Sequence, residues 1–150
     1  MTWTPKNPDF RRIVLESFSK QQAMSTIGAI LSRVEAGHVE IELPYHESLT
    51  QQHGFLHAGI VTAVLDSSCG YAALTLMPPG AGVLSVEFKV NLLAPAKGLV
   101  LVARGRVLRA GRTITVCQAD GFMRVDDRDV PVATMLATMM TVTDRSDVTG

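Results

Sequence analysis

The feature that most constrains the fold is a run of twenty residues, Ala58 to Met77, in which Asp66 is the single charged side chain. As a helix rising about 1.5 Å per residue, the run is long enough to span a bilayer. The charge at its middle, the two serines that follow it and the absence of a basic flank argue against a membrane span. A helix that is apolar on nearly every side must then be enclosed by protein. We therefore predict a buried helix that starts near His57 and stops before Pro78.

Strand patterns lie on both sides of this helix in the sequence. Apolar and polar residues alternate cleanly over His38 to Pro44, which is typical of a half-buried strand. A preceding run, Ile27 to Val34, is separated from it by a short turn, so the two are predicted to form a hairpin. Four longer runs follow the helix: Val83 to Leu93, Leu99 to Arg109, Thr113 to Val125 and Val130 to Val142. Their short connections predict a meander in which sequence neighbours pair.

The pattern as a whole predicts one α+β domain over residues 1–150. With 150 residues and 47% hydrophobic side chains, a single core suffices. Apolar spacing predicts an amphipathic flank helix within residues 1–20, starting at Pro8 and capped by Asn7, and residues 143–150 are predicted to be frayed. An antiparallel sheet of about six strands can wrap around the apolar helix. Because such a sheet leaves its edges uncovered, we expect pairing with a second copy.

Charge and cysteine usage exclude several classes of function. The chain has 14 basic and 14 acidic residues without a block of like charge, so it lacks the basic surface that nucleic-acid binding requires. Cys69 and Cys117 are far apart and have no neighbouring Cys or His cluster, which indicates neither a disulfide framework nor a metal site. Prolines and an acidic residue interrupt the first twelve residues where a secretory signal needs an apolar run, so a cytoplasmic location is expected.

The segment Gln51 to Gly59 leads from a polar loop into the start of the apolar helix. Backbone amides at a helix N-terminus have no intrahelical acceptor, and the helix dipole strengthens them as donors to an oxygen that gains negative charge. The small residues Ala58 and Gly59 allow a ligand to approach this backbone closely. We therefore predict an oxyanion site at the start of the helix. For His57, a ligand contact and a structural hydrogen bond to a backbone carbonyl are both open.

Asp66 is the second candidate, because burying a lone carboxylate is costly unless the group is paired, hydrogen-bonded or used. Small residues follow it and predict space beside the carboxylate, although a bond to a neighbouring strand is the alternative. The nine helical residues from His57 to Asp66 turn about 900° and rise about 13 Å, so the two side chains face opposite ways. If both serve one site, they come from two chains related by a two-fold axis.

Gln51 to Asp66 resembles the signature of the hotdog-fold acyl-CoA thioesterases of the PaaI-like group, in which N/Q-x-x-G-x-x-H-G-G precedes an acidic residue nine positions after the histidine. The resemblance extends through Leu84 to Asn91, the Ala94-Pro95-Ala96 turn and Gly111-Arg112. It implies the hotdog fold, a sheet wrapped around a central helix. The sequence departs from the motif at Ala58, where the family has glycine, so this amide is usable only if its φ is an ordinary helical one.

The resemblance implies a role for each residue that matches the motif. Asp66 matches the catalytic carboxylate, which acts as a general base on water or as a nucleophile. Gln51 matches the residue that positions the thioester or water, and His57 matches the motif histidine near the thioester. The amide of Ala58 falls where the family polarises the carbonyl. Ser85 falls where some members place a hydroxyl beside the carboxylate or water.

The function that the resemblance implies is hydrolysis of an acyl-CoA to a carboxylic acid and CoA by a homodimer or a dimer of dimers. No cofactor or metal is expected, since CoA enters as part of the substrate. A hydratase or dehydratase on the same fold and a non-catalytic acyl-CoA-binding dimer stay open, and the sequence does not identify the acyl group. Six basic side chains could meet the CoA phosphates, although charges that alternate along strands more commonly form a solvated face: Lys89, Lys97, Arg104, Arg106, Arg109 and Arg112.

Overall fold

The computed structural model describes all 150 residues, Met1 to Gly150, and has the predicted α+β architecture of one six-stranded antiparallel sheet packed around a central helix. Its helices are α1 (Phe10–Lys20), α2 (Gln22–Ile27) and α3 (Ala58–Leu74). A short 3-10 turn occupies Glu47–Leu49. The strands are β1 (Ile30–Glu35), β2 (His38–Pro44), β3 (Gly82–Leu92), β4 (Val100–Ala110), β5 (Ile114–Val125) and β6 (Arg128–Val142).

Helix α3 forms the centre of the core. Val64, Leu65, Cys69 and Ala72 are fully buried, and the helix contacts every strand from β2 to β6. Burial of each large aliphatic side chain contributes about 1.5–3 kcal/mol, so the enclosure of α3 is a main source of stability. The helix begins where the sequence predicts. No helix in the structure combines the length and the apolar character that crossing a bilayer requires.

The order of strands in the sheet is β1-β2-β4-β5-β6-β3. The predicted meander is right for β4, β5 and β6 but wrong for β3, which pairs with β6 at the sheet edge and not with β4. The connection of seven residues from Leu93 to Leu99 permits this, because seven extended residues span up to about 24 Å. The three interstrand spacings that it crosses amount to about 14 Å. As a result β4 pairs with β2, and the hairpin joins the other strands in one sheet.

Helix α1 begins two residues later than predicted. The side chain of Asn7 accepts a hydrogen bond from the backbone N–H of Asp9 (2.9 Å), and its carbonyl accepts one from the N–H of Phe10 (3.2 Å). Asn7 therefore forms a turn that precedes the helix, and Asp9, not Asn7, occupies the N-cap position. Pro8 lies within this turn.

Helix α2 occupies a segment for which the sequence predicts no helix, and it displaces the predicted start of the first strand from Ile27 to Ile30. Gly28 ends the helix with a φ of +81°, and the N–H of Ala29 donates to the carbonyl of Met24 (2.9 Å). This is the glycine-based closure that commonly ends helices. Met24 is buried, so tertiary packing holds a helix that is too short to be stable alone.

Residues 143–150, the predicted frayed tail, form no helix or strand. They lie against the start of β3, where the N–H of Gly150 donates to the carbonyl of Ala81 (3.1 Å). Gly82 accommodates this contact, because a Cβ there would lie 2.8 Å from the carbonyl oxygen of Val148. The tail, α1 and the second half of α3 border one cavity that is described below.

The close approach of β4 to α3 predicts a large effect for Gly105→Ala. A Cβ at this position would lie 2.3 Å from the carbonyl oxygen of Ser68 and 2.9 Å from the backbone nitrogen of Cys69. Helix and strand must then separate, and we expect the free energy of unfolding, measured with urea, to fall by about 2–3 kcal/mol.

Gly121→Ala is the matched control on the adjacent strand. Its Cβ would meet the side chain of Leu65 at 3.4 Å, an ordinary contact, so we expect a change of no more than about 1 kcal/mol. Equal losses in the two variants would contradict the described packing of α3 on β4.

Candidate active site

The start of α3 leaves a single backbone donor free. The N–H groups of Ile60 and Val61 both donate to the carbonyl of His57 (2.9 and 3.1 Å). The N–H of Gly59 donates to Nδ1 of the His57 ring (2.9 Å). The amide of Ala58 has no acceptor within the chain, and the residue is exposed. The helix start therefore presents the N–H of Ala58, strengthened by the helix dipole, to a ligand.

His57 is the N-cap of α3. The structural interpretation, a hydrogen bond from the ring to a backbone carbonyl, is wrong in its partner, because Nδ1 accepts from the N–H of Gly59. The ligand contact stays a prediction. Because Nδ1 accepts, the ring proton of a neutral His57 lies on Nε2, which remains able to donate. The cap also occupies the N–H of Gly59. Among the N–H groups at the helix start, only that of Ala58 is left to act as the predicted oxyanion donor.

The alanine that departs from the family motif keeps ordinary backbone geometry. Ala58 is the first residue of α3, and the non-glycine residues with positive φ are Asp126 and Asp144. Its amide therefore points out of the helix start as the first N–H of any helix does. The replacement of glycine leaves the donor available.

Gln51 lies beside Ala58 in an open, largely apolar groove of about 420 Å³. Its backbone N–H donates to the carbonyl of Phe55 (2.9 Å), and its side-chain Oε1 accepts from the N–H of His53. Both bonds close the loop that leads into α3. The side-chain Nε2 has no partner in the chain, so Gln51 can donate one hydrogen bond to a ligand in the groove.

Asp66 lies in a second cavity, of about 160 Å³. The carboxylate is half-buried, and its Oδ1 accepts a hydrogen bond from Oγ of Ser85 on β3 (2.7 Å). Burial raises the pKa of Asp66, and the hydrogen bond from Ser85 opposes part of this effect by stabilising the charged form. Its second oxygen stays free to take a proton.

The predicted site residues fall into two groups within one chain. Asp66 and Ser85 border the smaller cavity, and Gln51 and Ala58 border the groove. Neither of these two cavities contains residues of both groups. The nine residues from His57 to Asp66 add a half-turn and about 13 Å of rise, so one chain holds the carboxylate and the free amide apart.

Several residues of the Asp66 cavity have no counterpart among the sequence candidates. They are Ser17, Gln21, Tyr71 and Val148. Ser17 lies in α1, Gln21 at the junction of α1 with α2, and Val148 in the tail. These three segments are distant in sequence from α3. Gly70 also borders the cavity. Helical spacing alone predicts this position, since Gly70 is four residues after Asp66 and residues four apart share a helix face.

Neither cysteine is suited to nucleophilic chemistry. Cys69 and Cys117 are fully buried. Burial raises the pKa of the Cys69 thiol and raises that of Cys117 to about 12, and a nucleophilic cysteine needs its thiolate form. No three His, Cys, Asp or Glu side chains converge in an arrangement that could hold a metal ion.

Two of the six basic candidates are held on the outer face of the sheet. Arg104 pairs with Asp129 (2.6 Å), and Arg106 pairs with Asp120 (2.8 Å). Lys97 lies elsewhere, next to the loop that borders the groove. Its Nζ would be 4.0 Å from a Cβ built on Gly54 in this loop. Its ammonium group makes no ion pair within the chain and is therefore available to an anionic ligand at the groove.

Comparisons with known proteins agree on one family. The family described as Thioesterase superfamily matches residues 53–128. The crystal structure of a thioesterase family protein from Silicibacter pomeroyi is 48% identical, covers 89% of this chain and 98% of its own, and superposes with a TM-score of 0.88. Human acyl-coenzyme A thioesterase 13 is 30% identical over 73% of this chain and 79% of its own length. The PaaI protein of E. coli, 13% identical over 89% of this chain and 94% of its own, has a TM-score of 0.80, which shows a common fold.

The raised pKa of Asp66 predicts that Asp66→Asn changes stability in a pH-dependent way. The folded state binds the proton of this carboxyl more tightly than the unfolded chain does, so Asp66 favours folding at low pH and opposes it as the pH rises through the raised pKa. Asn removes the charge and keeps an oxygen for Ser85 to donate to. We expect a higher free energy of unfolding than wild type at about pH 7 and no gain at about pH 3, below the ordinary carboxyl pKa. A urea-unfolding difference that is constant between these pH values would contradict this.

Proposed function

Because the chain belongs to the thioesterase superfamily, we propose that it hydrolyses an acyl-CoA to a free acid and CoA at a site that two subunits build together. The sheet wrapped around a long helix is the hotdog fold, and the protein is a thioester hydrolase. The observation that carries the shared site is the separation of the carboxylate and the free amide into different cavities of one chain. A second copy supplies the missing half of each site.

The edge strand β3 is the surface at which a second copy joins. It pairs with β6 on one side and with no strand on the other. Four apolar side chains on this strand are exposed: Leu84 at 42%, Val86 at 54%, Phe88 at 43% and Leu92 at 54%. A long apolar edge with unpaired backbone groups favours pairing with another strand. Antiparallel β3–β3 pairing would satisfy the backbone and cover these side chains.

Antiparallel pairing centred on Phe88 makes the two copies of β3 complementary. Glu87 of one copy then lies opposite Lys89 of the other, and Val86 lies opposite Val90. Oppositely charged and apolar cross-strand pairs each contribute about 0.2–1 kcal/mol. In this register the two-fold axis relates identical surfaces, as a closed homodimer requires.

The same pairing joins the two cavities into one site. The start of β3, around Ser85, borders the cavity of Asp66, whereas its end, around Leu92, borders the groove of Ala58. Two antiparallel copies set the start of one strand beside the end of the other. Asp66 of one subunit therefore meets the free amide of Ala58 in its partner, and the dimer has two such sites.

Hydrolysis follows from these positions. The thioester carbonyl oxygen accepts a hydrogen bond from the N–H of Ala58, which stabilises the negative charge that develops there. Asp66 of the other subunit takes a proton from water as the water oxygen attacks the carbonyl carbon. The bond to sulfur then breaks, and CoA leaves as the thiol when the proton returns. A carboxyl with a raised pKa is a stronger base, which suits this role near neutral pH. Direct attack by Asp66, through an anhydride, is the second route.

The groove beside Ala58 suits the CoA portion of the substrate. It is open and largely apolar, so it can hold the pantetheine arm, and Gln51 can donate to an amide or to the thioester. The ammonium group of Lys97 at the neighbouring loop can pair with a CoA phosphate. CoA is part of the substrate, and the mechanism uses no other cofactor. We further propose a cytoplasmic location and assembly as a dimer or a dimer of dimers.

Ala58→Pro tests the oxyanion donor. Proline lacks the N–H and is favoured at the first helical position. The preceding residue, His57, already has the extended backbone that proline requires (φ −59°, ψ 137°), so the fold is expected to be kept. We expect kcat for acyl-CoA hydrolysis, followed by thiol release, to fall by about 10²–10³-fold, as when one oxyanion donor is removed. Wild-type kcat would contradict this role.

Asp66→Asn tests the carboxylate. We expect thiol release to stop while acyl-CoA binding, measured by calorimetry, is retained. Asp126→Asn is the matched control, because Asp126 is exposed in a turn at φ 53°, which Asn tolerates, and we expect wild-type turnover. Unchanged turnover in Asp66→Asn would contradict the assignment.

Two outcomes with the wild type would favour the alternative functions. Hydration of enoyl-CoA without thiol release would indicate a hydratase, and acyl-CoA binding without either reaction would indicate a non-catalytic dimer.

A further inference from the structure

We propose that the cavity behind Asp66 binds the acyl group of the substrate and restricts it to a short chain with a hydrogen-bonding group at its far end. This inference rests on the proposed hydrolysis and names the acyl class that the same site accepts. Four observations carry it: the course of the cavity, its volume, its polar lining and a glycine that keeps it open.

The cavity runs from the reacting carboxylate into the protein. It starts at Asp66 and Ser85 and follows α3 past Gly70 to Leu74, a rise of about 12 Å over eight residues. Leu74 and the tail residue Val148 also border it. The CoA portion is far too bulky for a cavity of about 160 Å³ and has the larger groove, of about 420 Å³, on the other side of the carbonyl. The acyl group is therefore the part of the thioester that enters.

The volume of the cavity limits the size of the acyl group. Its 160 Å³ or so is close to the volume of about 150 Å³ of an engineered protein cavity that binds benzene. An acyl group of about six carbons fills a space of this size, whereas a twelve-carbon chain needs roughly twice that volume. The site therefore favours short acyl groups.

The lining of the cavity is polar beyond the carboxylate. Oε1 of Gln21 accepts from Oγ of Ser67 at 3.4 Å, and its Nε2 has no partner in the chain. Burial raises the pKa of Tyr71, and a hydrogen bond with Ser17 offsets part of this rise. The phenol therefore stays neutral and can donate a hydrogen bond. A purely aliphatic chain would cover the Nε2 of Gln21 and the hydroxyl hydrogen of Tyr71 without offering either an acceptor, which a hydrogen-bonding site rejects. A hydroxyl at the far end of the acyl group would accept a hydrogen bond from them.

Gly70 keeps the cavity open. It lies four residues after Asp66 on the same face of α3, and a Cβ built there meets no atom within 4 Å. Glycine destabilises the interior of a helix relative to alanine. Neither close packing nor a positive φ requires glycine at this position. A side chain at this position would instead reduce the free volume beside Asp66. We therefore assign to Gly70 the role of setting the size of acyl group that the cavity accepts.

The first arm of the test fills the cavity in steps with Gly70→Ala and Gly70→Leu, both of which raise the helix propensity of α3. The kcat/KM for thiol release is measured with acetyl-CoA, hexanoyl-CoA, 6-hydroxyhexanoyl-CoA and dodecanoyl-CoA. We expect Gly70→Leu to lower the hexanoyl-to-acetyl ratio at least about tenfold, since a lost pocket contact changes discrimination by 10–200-fold. Gly70→Ala should lie between Gly70→Leu and the wild type, with a Tm at or above that of the wild type.

The second arm tests the polar lining. The wild type is expected to prefer 6-hydroxyhexanoyl-CoA over hexanoyl-CoA by at least about tenfold. Tyr71→Phe keeps the ring that packs on Phe18, with centroids 5.6 Å apart, and removes the hydroxyl, so this preference should fall toward parity. Gln22→Met is the control, because Gln22 is exposed and does not border the cavity, unlike its neighbour Gln21. It should keep the wild-type preference.

The outcomes separate this inference from the proposed function. A hexanoyl-to-acetyl ratio that the Gly70 variants leave unchanged, or a wild-type preference for dodecanoyl-CoA, would overturn the acyl assignment and leave the hydrolysis intact. If Gly70→Leu does not fold, Gly70→Ala and Tyr71→Phe decide the question. Absence of thiol release by the wild type from all four substrates would overturn the proposed function itself.

Discussion

The enclosure of α3 by the sheet is the constraint on which the rest of the structure depends. The helix is apolar on nearly all sides, and β4 approaches it so closely at Gly105 that no side chain fits between them. This close approach fixes the helix against the sheet at Ser68 and Cys69. Its first amide, at Ala58, is held in one cavity, and the carboxylate of Asp66 is held in another. The chemistry follows from this fixed relation.

Three features lower the stability of the single chain, and the proposed shared site explains all three. A half-buried carboxylate with a raised pKa, an apolar edge strand exposed at Phe88 and a glycine in a buried helix each reduce the stability of one chain. In the proposed dimer, pairing through β3 covers the edge and sets the carboxylate beside a donor. Residues that destabilise a fold and serve a site are expected where function constrains the sequence. The roles proposed for Gly70 and Asp66 fit this expectation.

The sequence predicts the central helix, because the signals there are local. A single charge in an apolar run indicates Asp66 as a site candidate, and the polar loop before the helix indicates Ala58. The structure places each residue at a cavity, and their roles in the reaction stay predictions. The place of β3 in the sheet was predicted wrongly, because pairing depends on the reach of the connection that starts at Leu93 and on the packing of α3. Helix α2 was missed because a short helix depends on tertiary contacts of residues such as Met24. The cavity beside Asp66 is not predictable from local pattern, because its walls, among them Val148, come from segments distant in sequence.

The most direct test of the shared site mixes two inactive variants, Asp66→Asn and Ala58→Pro. When the two chains are refolded together, random pairing makes about half of the dimers mixed, and each mixed dimer has one intact site and one doubly defective site. If the carboxylate and the amide come from different subunits, acyl-CoA hydrolysis returns to about a quarter of the wild-type activity per subunit. If mixing restores no activity above that of the separate variants, the two groups do not act across a subunit boundary, and the account is wrong.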